Sequence, residues 1–205
     1  MMKKHPALAI IEFSDIPVGV HATDAMLKKS PIAFVKCGTI SRGRYLTMVG
    51  GTTAAVEEAL AEGVEQGGAS VLDRILLADV HPRVYAAIVG ARQAGGSGAL
   101  AILETDTVAS NVRAAEVALK ATEVDLVEIR LADTGLSGKG LSLYQGDLYQ
   151  IEEAMSVSRR FLDEAGVPAR HRTIAAPHEA LLKQIGSSTG FATQVLLELE
   201  GEQAS

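Results

Sequence analysis

The stretch most suggestive of chemistry is Thr134-Gly135-Leu136-Ser137-Gly138-Lys139-Gly140. Glycines around a lysine suit a phosphate loop, in which successive backbone N–H groups and a helix N-terminus hold the anion. That loop needs the order G-x-x-x-x-G-K-[S/T] between a strand and a helix. Here a glycine follows the lysine and the strand-like run "LSLYQ" follows that glycine, so nucleotide binding is not expected. Cys37, inside "FVKCGTI", is the single cysteine; with no second thiol to complete a chelate, it reads as a small buried hydrophobe. His81-Pro82 and Pro177-His178 sit at matched places, each opening a helix, which suits capping or packing. Their order is reversed, which a metal or acid–base role would tolerate poorly. Glu57-Glu58 and Glu152-Glu153, in the first turn of their helices, complement the macrodipole. Adjacent residues do not share a helix face, so neither pair forms a two-carboxylate site. No catalytic residue, metal site or cofactor site is expected, and the chain does not read as an enzyme.

The elements that would position any site are written twice. "ALAIIE" at 7–12 returns as "ALAILE" at 99–104, and the gap-free alignment to 35/127 holds 10 identities in 29 positions. Composition alone gives about two. Matches include Ala22/Ala114, Leu27/Leu119 and Lys28/Lys120; the register then slips by three residues and resumes at Gly43/Gly138. This is a duplication. Each copy reads strand, helix, strand, turn, strand, helix, strand and a short terminal helix. The expected fold class is α+β, two tandem ferredoxin-like domains of βαββαβ plus helix. The expected bounds are 1–94 and 99–186 for the two domains, 95–98 for the linker and 187–205 for a C-terminal extension. In that extension "ATQVLLELE" alternates enough to add an edge strand.

The totals set limits on partners. The 205 residues are 47% hydrophobic and 21% charged, which suits a folded chain with sizeable cores. A net charge of −6, with no basic run beyond Lys3-Lys4, argues against nucleic acid. The apolar run at the start is too short for a membrane span or signal peptide. One cysteine fits a reducing cytoplasm.

The repeat unit resembles the bacterial microcompartment shell domain. "ALAIIEFSDIPVGVHATDAMLKKSPI", "LTMVGGTTAAVEEAL" and "HPRVYAAI" carry the likeness in the first copy; "ALAILET", "RAAEVALKA", "GKGLSLYQGDLYQIEEAM" and "PHEALLKQIG" carry it in the second. Two such domains in one chain resemble the tandem, unpermuted shell proteins, which form trimers shaped like the hexamers of single-domain relatives. The resemblance implies a structural shell protein: a homotrimer tiling a shell facet in the cytoplasm beside other shell proteins, hexamers and pentamers. It also implies a central pore for small polar or anionic metabolites. A cytosolic small-molecule-binding sensor or enzyme of duplicated ferredoxin-like domains is the alternative that the fold alone allows.

By the same resemblance, Lys28 and Lys120 lie at the tile edge, after the first helix of each copy. The family often has an arginine joining that edge, where this chain has Ala176. The turn between the second and third strands lines the pore: Ser41, Arg42 and Gly43 in one copy; Asp133, Thr134, Gly135, Leu136, Ser137 and Gly138 in the other. Some tandem shell proteins carry a cysteine in the first turn and hold an iron–sulfur cluster on the axis. Ser41 stands at that position here, and a hydroxyl replaces a thiolate poorly, so no cluster is expected.

Overall fold

The computed structural model describes residues 7–93, 96–197 and 199. Residue 95, the first of the expected linker, and part of the extension lie outside the described residues. The first copy runs β1 (Ala7–Phe13), α1 (Ile16–Lys29), β2 (Phe34–Ile40), β3 (Arg44–Gly51), α2 (Thr53–Gly67), β4 (Val71–Leu77) and α3 (Pro82–Ile88). The second runs β5 (Ala99–Thr105), α4 (Val108–Ala121), β6 (Asp125–Leu131), β7 (Gly140–Gly146), α5 (Leu148–Glu164), β8 (Ala169–Ile174) and α6 (Glu179–Ser187). The sheets have the orders β2-β3-β1-β4 and β6-β7-β5-β8, antiparallel throughout, the split βαβ arrangement of the ferredoxin-like fold.

Local chemistry sets the boundaries. Asp15 caps α1 by accepting the Val18 N–H at 2.9 Å, and Lys28 and Lys29 occupy the last turn, where cations suit the helix dipole. Thr52 caps α2 through the Ala55 N–H at 3.3 Å. His81 and His178 cap α3 and α6, each Nδ1 accepting a backbone N–H at 3.2 and 3.1 Å, which is the capping role their positions predict. Glu57-Glu58 and Glu152-Glu153 fall one turn later than expected, because α2 and α5 begin at Thr53 and Leu148. Glu58 accepts the Ser30 hydroxyl at 3.3 Å instead of serving the dipole.

Every residue of β1 is buried, since both faces of its sheet are covered. One face packs Ala9, Ile11 and Phe13 against Met26 and Val56 of α1 and α2. The other packs Leu8, Ile10 and Met48 against Val84 and Ile88 of α3, in a core that continues into Val112 and Leu119 of α4. The two copies therefore share one apolar interior. They also solve one packing problem in opposite ways. In the first, Gly19 of α1 leaves room for Tyr45 of β3; a Cβ on Gly19 would lie 2.6 Å from the Tyr45 Cβ. In the second, the strand residue is Gly140 and the helix residue Asn111, and a Cβ on Gly140 would lie 2.4 Å from the Asn111 Cβ.

Two further expectations need correction. The alternating run after residue 191 adds no strand among the described residues. Phe191–Thr193 is a 3-10 turn, and the chain just beyond it is tied to α6 by the Gln184 side chain, which donates to the Val195 carbonyl at 2.8 Å. Backbone groups bonded in this way are not free to join a sheet edge. Cys37 is exposed rather than buried, because β2 is an outer strand with most of its length uncovered in the single chain. Its thiol and burial together push the neighbouring Tyr45 hydroxyl up to about 12.

Candidate functional site

Among the described residues no cluster of three or more His, Cys, Asp or Glu could hold a metal ion. The polar chemistry gathers at the joint between the copies and at the paired turns beside it.

At the joint, the first copy completes helices and loops of the second. Glu12, fully buried near the end of β1, takes Arg44 Nη1 at 2.6 Å on one oxygen and the Val108 N–H at 2.8 Å on the other. Asp73, its register neighbour on β4, accepts the Ser110 N–H at 2.9 Å and the Ser110 hydroxyl at 2.6 Å, and also binds the Thr107 hydroxyl. Two carboxylates from one copy thus cap α4 of the other, whose own Thr107 gives no side-chain cap. Negative charge at a helix N-terminus satisfies orphan N–H groups and the dipole together. Burial raises the Glu12 pKa, while the Val108 amide and Arg44 pull it back in part. The same Arg44 Nη1 reaches the carbonyls of Asp106 and Gly138, each at 3.0 Å.

The reverse contact lies on the other side of the joint. Glu116 of α4, 1% exposed, accepts the His81 N–H at 3.1 and 3.0 Å, at the start of α3. Lys120 pairs with Glu116 at 2.7 Å and donates to the Asp79 carbonyl at 2.8 Å. Lys120 therefore sits on the seam, half-exposed. Lys28 sits at the matching place on α1, well exposed, with Asp24 at 2.5 Å.

The turns lie side by side. Ser41 donates its hydroxyl to the Ala132 carbonyl at 2.6 Å and accepts the Gly138 N–H at 2.8 Å, and its backbone N–H donates to the same carbonyl at 2.8 Å. The short turn thereby anchors both ends of the long one. Arg42 and Gly43 follow with φ of 69° and 68°, and both are exposed. Arg42 makes no hydrogen bond or ion pair among the described residues. In the long turn, Leu136 N–H bonds back to the Asp133 carbonyl at 3.2 Å, and Leu136 is half-buried. Thr134, Gly135 and Ser137 are exposed, while Gly138 is buried under Arg44. Asp133 is bound by Arg130, which also donates to the Thr134 carbonyl at 3.1 Å. That pairing with Asp133 raises the pKa of the Arg130 guanidinium.

Sequence reasoning missed the joint residues Glu12, Arg44, Asp73 and Glu116. One signal pointed to Glu12 alone: a glutamate repeated inside an otherwise apolar strand, Glu12 and Glu104, since a charge there must be paired.

Two ferredoxin-like units joined by such a seam, with their turns brought together, define a duplicated domain. The BMC domain matches this chain twice, over residues 7–83 and 99–177. The chain belongs to the BMC-domain family of bacterial microcompartment shell proteins. The shell protein PduT of Citrobacter freundii is 34% identical over 179 residues, 87% of this chain and 97% of that relative. A microcompartment protein of Desulfitobacterium hafniense, known by crystal structure, superposes with a TM-score of 0.75 at 32% identity, covering 87% of this chain and 99% of its own. A fused permuted hexameric shell protein of the RMM microcompartment shares the fold, with a TM-score of 0.57 at 22% identity over 77% of this chain and 81% of its own. The role is structural: a component of the microcompartment shell, in the bacterial cytoplasm, not an enzyme.

Proposed function

We propose that the chain forms a homotrimer whose six similar domains close a ring, and that this ring tiles a shell facet beside hexameric and pentameric shell proteins. What supports the ring is a match between residues buried at the internal joint and residues left bare on the outside. Val112 and Leu119 of α4 are 0% and 6% exposed; their repeat partners on α1, Val20 and Leu27, are 50% and 43% exposed. Val84, three residues after the His81 cap, is buried, whereas Leu181, three after the His178 cap, is 39% exposed. A second copy docked by the relation that joins the two halves covers all three. Asp24 then accepts the next chain's α6 amide as Glu116 accepts that of α3. Three chains close the ring because each supplies two of six wedges.

Lys28 and Lys120 lie on the outer rim of that ring, and the turns of residues 41–43 and 133–138 line its axis. Asp133 is already neutralised by Arg130, so the free charge of the opening is three copies of Arg42. That ring of cations favours small anionic metabolites over neutral or cationic ones.

Light scattering and electron microscopy of concentrated protein test the assembly: a trimeric mass and hexagonal sheets are expected, and a monomeric mass at micromolar concentration overturns it. Lys28→Asp is expected to abolish sheets and keep trimers.

A further inference from the structure

Between the copies, on the α3 side of the first sheet, lies an open cavity of about 320 Å³. Leu46, Met48 and Ile88 form its floor, and Ile129 and Leu131 of β6 form the far wall. Gly38 of β2 also lines it. A Cβ built on Gly38 meets nothing within 4 Å. In the second copy the strand position paired in the same register holds Arg130, opposite Leu141 as Gly38 is opposite Leu46. The Arg130 side chain is bound to Asp133 and to Thr189 at 3.2 Å. Two residues earlier the second copy has Glu128, held by Thr189 at 2.8 Å and by Arg92. The first copy has Lys36 there, exposed and without an ion pair among the described residues. One copy thus fills this place with a paired charge network. The other leaves an apolar hollow with a single unpaired cation at the rim.

We propose that this cavity is a binding site for a small monocarboxylate with an aliphatic body, its carboxylate on the Lys36 ammonium and its chain over Leu46, Met48 and Ile88. The volume is at the lower end of small-molecule sites, which are apolar with a few polar groups fixing orientation. The charge selects an anion, since Asp133, the acidic group on the wall, is satisfied by Arg130. A dicarboxylate would place its second charge on the apolar floor, at a cost in desolvation. The lining residues all belong to one chain.

The test is titration of hexanoate and of hexanol into the full-length protein by calorimetry, with methyl NMR of the wild-type chain. Saturable one-to-one binding of hexanoate is expected, with hexanol ~10-fold weaker, as loss of a charge-assisted contact implies. The Met48 methyl signal should move with the same saturation curve. Lys36→Gln should bring hexanoate to the level of hexanol, and Gly38→Leu should abolish binding of both. Three results overturn the proposal: no saturable binding with an unmoved Met48 methyl, hexanoate binding that survives Gly38→Leu in folded protein, or binding indifferent to Lys36→Gln. The Met48 signal in the wild-type chain decides the matter should Gly38→Leu fail to fold.

Discussion

Glu116 on α4 and Asp24 on α1 occupy the same place in the two copies, and each pairs with a lysine four residues on, at 2.7 and 2.5 Å. Glu116 also holds the His81 amide across the joint, while Asp24 is left with its lysine alone. Glu116→Ala removes the acceptor of the His81 N–H and the partner of Lys120, so it should cost about 1–3 kcal/mol of folding stability in urea titrations. Asp24→Ala should leave the urea midpoint of the dissociated chain unchanged and raise the trimer dissociation constant. If both variants change folding stability equally, the two residues are not doing different jobs.

Arg44 and Glu12 form the best-buried ion pair of the joint. Arg44→Ala leaves the carboxylate uncompensated and should destabilise the fold by about 3–5 kcal/mol. Replacing both, as Glu12→Leu with Arg44→Met, should be milder than Arg44→Ala alone. Equal losses for the single and double variants would show that the charges are not coupled.

Burial holds the Glu12 carboxyl above its ordinary value of 4.5. The folded chain therefore keeps a proton that the unfolded chain has released. Stability falls as pH rises from 4.5 through the raised value, and is fullest below 4.5. Glu12→Gln should flatten that part of the curve, measured as urea midpoints at successive pH values. An unchanged slope would assign it to other groups.

The exchange of Gly19/Tyr45 for Asn111/Gly140 makes a packing prediction. Gly19→Ala forces its Cβ into Tyr45 and should cost about 1–3 kcal/mol, as overpacked cores do. In a double-mutant cycle, Tyr45→Ala should cost less in the Gly19→Ala background than alone. Additive losses would mean that the two residues do not press on each other.

The Ser41 hydroxyl bridges the Ala132 carbonyl and the Gly138 amide, and a hydroxyl replaces a cluster-binding thiolate poorly. Protein purified without oxygen should contain no bound iron and show no charge-transfer colour. Ser41→Ala should loosen the long turn, seen as faster amide exchange at Gly138 with the sheet amides unaffected.

The repeated strand, its glutamate and the matched caps made the duplicated fold legible from sequence, because each element carries its own periodicity and punctuation. The joint was less legible. Asp73 and Glu12 cap a helix whose first residue is 35 or more positions away in the chain, and no local pattern encodes such a partner. The exposed Cys37 was misread for a related reason: a residue on an outer strand looks apolar whether its cover comes from the same chain or from another. The tail misled because alternation alone does not create a free sheet edge. The hollow at Gly38 has no local signature, because it is defined by contrast with Arg130 at the matching register position of the second copy.

The caps on α4 also bear on how the polypeptide comes into being. The ribosome releases the first half with Glu12 and Asp73 aimed at a helix that does not yet exist, and that helix follows the first strand of the second half. Neither half is finished without the other. The gene is a doubled one, yet its product should melt in a single transition, and halves expressed separately should recover structure only when mixed.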